Sequence, residues 1–185
     1  DYLNRDDIPH IPWFKKSYLP NDEYHILTNE IKKQNFVTMA TPFDEDSIPL
    51  IRDLDLDIVK IASCSFRDKP LINAISKLKK PVIASTAGAS LKEIDHVVQV
   101  FESQNLDFAL MHCVAIYPTP SDKFNLNQIK ILKNRYPDIE IGWSTHEDPN
   151  DTETIKIAYA LGARIFERHV GLKTDKYDLN KYSST

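Results

Sequence analysis

The chain has 185 residues, of which 42% are apolar and 27% charged, and its formal net charge is −4. That is the size and mix of one soluble globular domain with a sizeable core. The acidic balance leaves no basic stripe to meet a nucleic acid or a membrane surface, and no apolar run approaches the roughly 20 residues of a membrane span.

The first 35 residues open with a Pro- and aromatic-rich stretch, IPHIPWFKKSYLP (8–20), which reads as a loop. A helix is predicted over Asn21–Gln34. Strand patterns then recur at Phe36–Thr41, Asp57–Ala62, Pro81–Ser85, Asp107–His112, Ile139–Ser144 and Arg164–His169. Helical stripes separate them. One is Leu71, Ile72, Ile75 and Leu78; the next is Ile94, Val97, Val98 and Phe101, preceded by a capping box of Ser90 and Glu93. The last, Ile155, Ala158 and Tyr159, is closed by Gly162 as a C′ residue. The strands start 21 to 32 residues apart. This β–α repeat implies an α/β fold with a parallel sheet and right-handed crossovers. Six strands fit either a doubly wound open sheet or a barrel lacking two of its eight units.

Cys64 and Cys113 are too few for a disulfide framework and are expected to pack as small apolar groups. With no signal-peptide pattern at the N-terminus, the expected compartment is the cytoplasm. Asp1, in place of an initiator methionine, points to a processed or truncated product.

In either architecture ligands gather at the C-terminal ends of parallel strands. Those ends are polar here. The first strand ends in Thr41, and the second carries Lys60 and runs into Ser63. Ser85 ends the third, His112 the fourth, Ser144 and His146 the fifth, and Glu167 and His169 the sixth. A lysine inside IVKIA must meet an anion, because an unpaired buried ammonium is costly. That anion is either a carboxylate, Glu167 by strand parity, or a bound phosphate or carboxylate ligand. Thr41, Ser63, Ser85 and Ser144 form a hydroxyl ring suited to cradling phosphate. His146 and His169 at consecutive strand ends are candidate ligands for one divalent metal, against the bland reading of each as an ordinary histidine. His112 reads equally as a hydrogen-bonded core histidine or, with the other two, as part of a metal-dependent hydrolase site.

Six ordered motifs add a resemblance. They are TPFDEDS (41–47), KIAS (60–63), PVIAST (81–86), MHCVAIYPTP (111–120), GWSTHE (142–147) and ERHVGL (167–172). Over about residues 13–172 the chain resembles the N-acetylneuraminate (sialic acid) synthase, or NeuB-like, family. The resemblance implies a partial (β/α)₈ TIM barrel whose six parallel strands correspond to strands 3–8. It implies a single domain over residues 1–185, without the first two barrel units or the family's antifreeze-like domain. Such a chain by itself is not expected to close a barrel or complete an active site. Its open edges make a homo-oligomer the expected state.

The activity implied is condensation of phosphoenolpyruvate with an amino sugar or related aldose, giving a nonulosonic acid with the help of Mn²⁺ or Mg²⁺. By motif, Lys60 and Tyr117 take catalytic positions, and Thr41, Ser63, Ser85 and Ser144 contact phosphoenolpyruvate. His146 and His169 take the metal positions. Three departures stand on the sugar side. Cys64-Ser65 replaces the family's Gly-Glu, Ala115 replaces an asparagine, and Tyr177-Asp178-Leu179-Asn180-Lys181 replaces Gly-Pro-Asp-His-Lys. They motivate the alternative of a non-catalytic ligand-binding or scaffolding barrel.

Overall fold

The computed structural model describes residues 7–8, 11–175 and 183–184. Six strands form one parallel sheet in sequence order: β1 (Met39–Ala40), β2 (Ile58–Ile61), β3 (Val82–Ser85), β4 (Phe108–Cys113), β5 (Glu140–Ser144) and β6 (Ile165–Glu167). Helices fill the crossovers: α3 (Ile48–Asp53), α4 (Lys69–Ser76), α5 (Leu91–Ser103), α6 (Asn127–Arg135) and α7 (Glu153–Ala160). The sheet curls into a partial barrel with β1 and β6 as its edges, and the doubly wound alternative falls.

Strand alternation assigns the two faces. Val59, Ile61, Val82, Ala84, Leu110, Ile141 and Trp143 face the helices and share one core with Leu71, Ile75, Ile94, Phe101 and Leu132. Burying each Val, Leu, Ile or Phe side chain among them contributes about 1.5–3 kcal/mol. The other face lines the barrel interior and carries Lys60, Ser85, Met111, Cys113, Ser144 and Glu167. Gly142 belongs to this inner face. A Cβ there would lie 2.2 Å from Met111 Sδ and 2.6 Å from the Ile165 carbonyl oxygen. The methionine sulfur fills the space that glycine leaves.

The helix ends follow one plan. Asn35, Asp55, Lys79 and Asn105 take positive φ just beyond α2 (Asn21–Lys33), α3, α4 and α5, each a few residues before the next strand. Gly162 does the same after α7 at φ 113°. The capping box of Ser90 and Glu93 is present, and Arg67 donates to the same Glu93 carboxylate from the loop after β2. Those bonds hold Glu93 down at about 2; the Arg67 hydrogen bond is the largest cause and the Ser90 bonds come next. The loops that follow β2 and β3 are thereby tied together above the sheet.

Four expectations need correction. The stretch 8–20 contains a helix, α1 (Ile11–Ser17). Pro12 is its second residue, where a backbone N–H would lack an intrahelical partner anyway. The first strand is shorter than Phe36–Thr41: the Thr38 backbone N–H and hydroxyl both donate to Asp57 Oδ2, each at 2.7 Å, and only its carbonyl reaches the neighbouring strand, accepting from Ile58 N–H at 3.1 Å. Tyr159 is exposed; α7 buries Thr154 together with the expected Ala158. The sixth strand breaks at Arg168. His169–Val170 (β7) pairs with Ser183–Ser184 (β8) in a separate small sheet.

Candidate functional site

The sequence-selected residues of β2, β3, β5 and β6 meet on the inner face at the C-terminal end of the sheet. Lys60 Nζ donates to Glu167 Oε1, and the second oxygen, Oε2, accepts from Ser144 Oγ at 2.7 Å. Both partners are largely withdrawn from solvent, with side-chain exposures of 15% for Lys60 and 32% for Glu167. Burial pushes the Glu167 carboxyl up, but the lysine and the serine outweigh it and hold the group below its ordinary range. The carboxylate alternative for Lys60 is therefore the one seen.

Cys113 is buried, as expected of a small apolar group, with Ser144, Ser63, Lys60 and Glu167 near its thiol. Burial raises its pKa, so at neutral pH it is a thiol and not a thiolate. Cys64 is exposed. Ser63 Oγ accepts from the backbone N–H of Ala87 at 3.2 Å, which brings it beside the end of β3. The Ser85 hydroxyl is buried on the same face and makes no hydrogen bond to protein. Thr41 lies one residue beyond Ala40, which pairs with Val59 next to Lys60.

His146 and His169 converge beyond the ends of β5 and β6, with ring centroids 5.3 Å apart. Two imidazoles on one ion, each with its nitrogen at about 2.1 Å, place their centroids roughly 5–6 Å apart. His146 Nδ1 lies 3.2 Å from the Val114 carbonyl oxygen. A backbone carbonyl on the far nitrogen is a common support for a metal-bound imidazole. The residues present therefore fit a divalent cation. Among the described residues no three His, Cys, Asp or Glu side chains form a cage, so this pair would leave most coordination positions to water or substrate. Burial is the main cause that lowers the His146 pKa, with the His169 charge adding to it. The Tyr117 ring packs on His146 at 4.0 Å and is itself half exposed.

His112 points the other way. It is buried on the helix-facing side, stacks on Trp143 at 5.0 Å, and its Nε2 lies 2.8 Å from the Phe124 carbonyl oxygen. Burial depresses its pKa. A three-histidine hydrolase site does not exist in this arrangement. Ala115 lines a cavity of about 500 Å³ with Thr86, Asn125, Asn127 and Gln128, above β3 and β4. Ser65 is buried. Residues 177–181 lie outside the described residues.

Sequence reasoning passed over Glu147. It is 1% exposed and neither carboxylate oxygen accepts a hydrogen bond. Its position directly after His146 was the available signal.

A sequence profile described as the NeuB family matches residues 4–184. The N-acetylneuraminate-9-phosphate synthase of Drosophila melanogaster is 34% identical over 178 residues, covering 92% of this chain and 47% of the relative. A crystal structure from Chromobacterium violaceum, assigned to spore coat polysaccharide biosynthesis protein E, superposes with TM-score 0.94 at 47% identity, covering 97% of this chain and 54% of that one. The N-acetylneuraminic acid (sialic acid) synthetase of Leptospira borgpetersenii superposes with TM-score 0.83 at 31% identity, covering 90% and 57%. The chain spans about half the length of the curated relatives it matches.

Proposed function

The chain belongs to the NeuB family, and from that premise we propose that the protein condenses phosphoenolpyruvate with an amino sugar or related aldose to give a nonulosonic, sialic-type acid. The enol carbon attacks the aldehyde carbon, one water is consumed and phosphate leaves. The observation that carries this reading is the inner-face cluster at the strand ends. It combines one ammonium, Lys60, with hydroxyls of Ser63, Ser85 and Ser144, and the Ser85 hydroxyl is buried without a protein partner. A trianionic enol phosphate suits such donors. A buried hydroxyl lacking a partner is also a natural place for one of its oxygens.

His146 and His169 would hold the divalent metal, Mn²⁺ or Mg²⁺, with the Val114 carbonyl orienting His146. When bound, the metal would supply Lewis-acid polarisation of the sugar aldehyde. Tyr117, half exposed and packed at a tilt against His146, would face the incoming sugar. Lys60 would orient the phosphate or carboxylate of the enol and keep Glu167 charged. Ser144 would hold Glu167 in place from its other oxygen.

The Lys60–Glu167 pair also favours a second reading, a non-catalytic barrel in which the lysine is a structural counter-ion. An activity panel separates the two. The full gene product is incubated with phosphoenolpyruvate, Mn²⁺ and a set of N-acylated hexosamines, their 6-phosphates and unmodified aldoses. The synthase reading expects phosphate release that depends on at least one sugar. No release with any sugar, from a folded protein, would leave the non-catalytic reading.

A further inference from the structure

Glu147 directly follows His146, and Arg168 directly precedes His169. The last sheet hydrogen bond between their two segments runs from the Thr145 N–H to the Glu167 carbonyl, at 3.1 Å. Both histidines lie past that point. Beyond Arg168 the chain turns away, and His169–Val170 pairs with Ser183–Ser184 instead of with β5. The ladder therefore does not fix how far apart the two imidazoles stand.

Across that gap lies an ion pair. Arg168 Nη2 is 3.7 Å from Glu147 Oε1, with side-chain exposures of 20% and 1%. The same Nη2 donates to the Asp148 carbonyl at 3.5 Å. Neither Glu147 oxygen accepts a hydrogen bond. A pair of this kind is a poor source of stability, because desolvation of the buried carboxylate cancels much of the attraction when no hydrogen bond accompanies it. Its geometric effect is clear: one guanidinium joins the segment after β5, at two points, to the residue beside His169.

We propose that Glu147 and Arg168 are positioning residues that set the separation and orientation of His146 and His169 for one shared divalent cation. This rests on the reading of the two histidines as metal ligands. The claim differs from a field effect. Arg168 carries a positive charge near the cation, so by charge alone its removal would tighten metal binding, whereas removal of Glu147 would weaken it. Positioning requires both removals to weaken it.

The test uses the full gene product and two readouts. The first is Mn²⁺ affinity by calorimetry for wild type, Glu147→Gln, Arg168→Met and Arg168→Lys. Both charge-removing variants should lose about 10- to 100-fold in affinity, the range seen when a support of a metal ligand is removed, and Arg168→Lys should recover part of it. The double variant Glu147→Gln/Arg168→Met buries no unpaired charge and serves if either single variant fails to fold; it too should bind weakly. Tighter binding by Arg168→Met, or wild-type affinity in variants that merely melt earlier, would overturn the proposal. The second readout is the metal-free crystal structure of wild type and of each variant. The imidazole centroids should move from the 5.3 Å separation in the variants; unchanged rings would overturn the proposal. If wild type binds no Mn²⁺, the metal reading falls, and these structures alone decide whether the pair positions the rings.

Discussion

Lys60→Met isolates what the lysine does in the resting protein. In the wild type its ammonium meets Glu167, whose other oxygen is held by Ser144 at 2.7 Å. The substitution leaves that carboxylate with one hydroxyl for company. Breaking a fully buried pair costs about 3–5 kcal/mol. Glu167 keeps 32% side-chain exposure and the serine bond, so water and Ser144 offset part of the loss. We expect about 2 kcal/mol at pH 7, below the range for a fully buried pair. The sign with pH follows. In the wild type the Glu167 carboxyl lies below its ordinary value, so its contribution is present above about pH 4.5 and is lost as pH falls through the depressed folded value. Without Lys60 only burial and Ser144 act strongly. Burial then pushes the carboxyl up, and the variant should recover relative to wild type as pH falls towards 5. Adding Glu167→Gln to Lys60→Met removes the stranded charge and should restore most of the loss. Urea melts of the four proteins in this cycle, at pH 7 and pH 5, read each quantity. Strictly additive single losses, or a Lys60→Met protein as stable as wild type at pH 7, would refute this account of the pair.

Gly142→Ala should destabilise by about 3 kcal/mol or more in a thermal melt, because the new Cβ meets a backbone carbonyl at 2.6 Å as well as the Met111 sulfur; Met111→Ala in the same chain should relieve only part of it. Burial depresses the pKa of both His112 and His146, so stability should be full above about pH 6.5 and fall as pH drops below it. His112→Asn should flatten that slope whatever its effect on the level, as read by denaturation at stepped pH. Asp95 is held at about 2, first by Arg135 and then by Tyr136, so Asp95→Asn should remove the stability lost between about pH 4 and pH 2. At neutral pH that substitution should cost only about 1 kcal/mol, since the pair is partly exposed.

The repeat of strand and helix patterns carried most of the architecture, because buried parallel strands and amphipathic helices leave plain signals. Parity alone put Lys60 and Glu167 on one face, and the structure joins them. The ends of elements were less legible. Arg168 ends the ladder in a run, RIFERH, that reads as an unbroken strand; the break depends on pairing with residues 183–184, far along the chain. The helix Ile11–Ser17 was hidden by prolines that mark loops in general but are tolerated in a first turn. His112 could not be placed from composition, since a polar group on a strand looks the same whichever face it takes. Only the Trp143 stack and the Phe124 carbonyl reveal the choice. Glu147 stayed invisible for the same reason: burial of a loop carboxylate is a property of the tertiary fold.

The central claim is that the cluster around Lys60 receives an enol phosphate. Calorimetric titration of phosphoenolpyruvate into the full gene product, with Mn²⁺ present, tests it most directly. The account predicts saturable binding at one site per chain, weakened by about 10- to 150-fold in Lys60→Ala, the worth of a hydrogen bond to a charged group. Absence of binding by the folded wild type, or equal binding by Lys60→Ala, would contradict it.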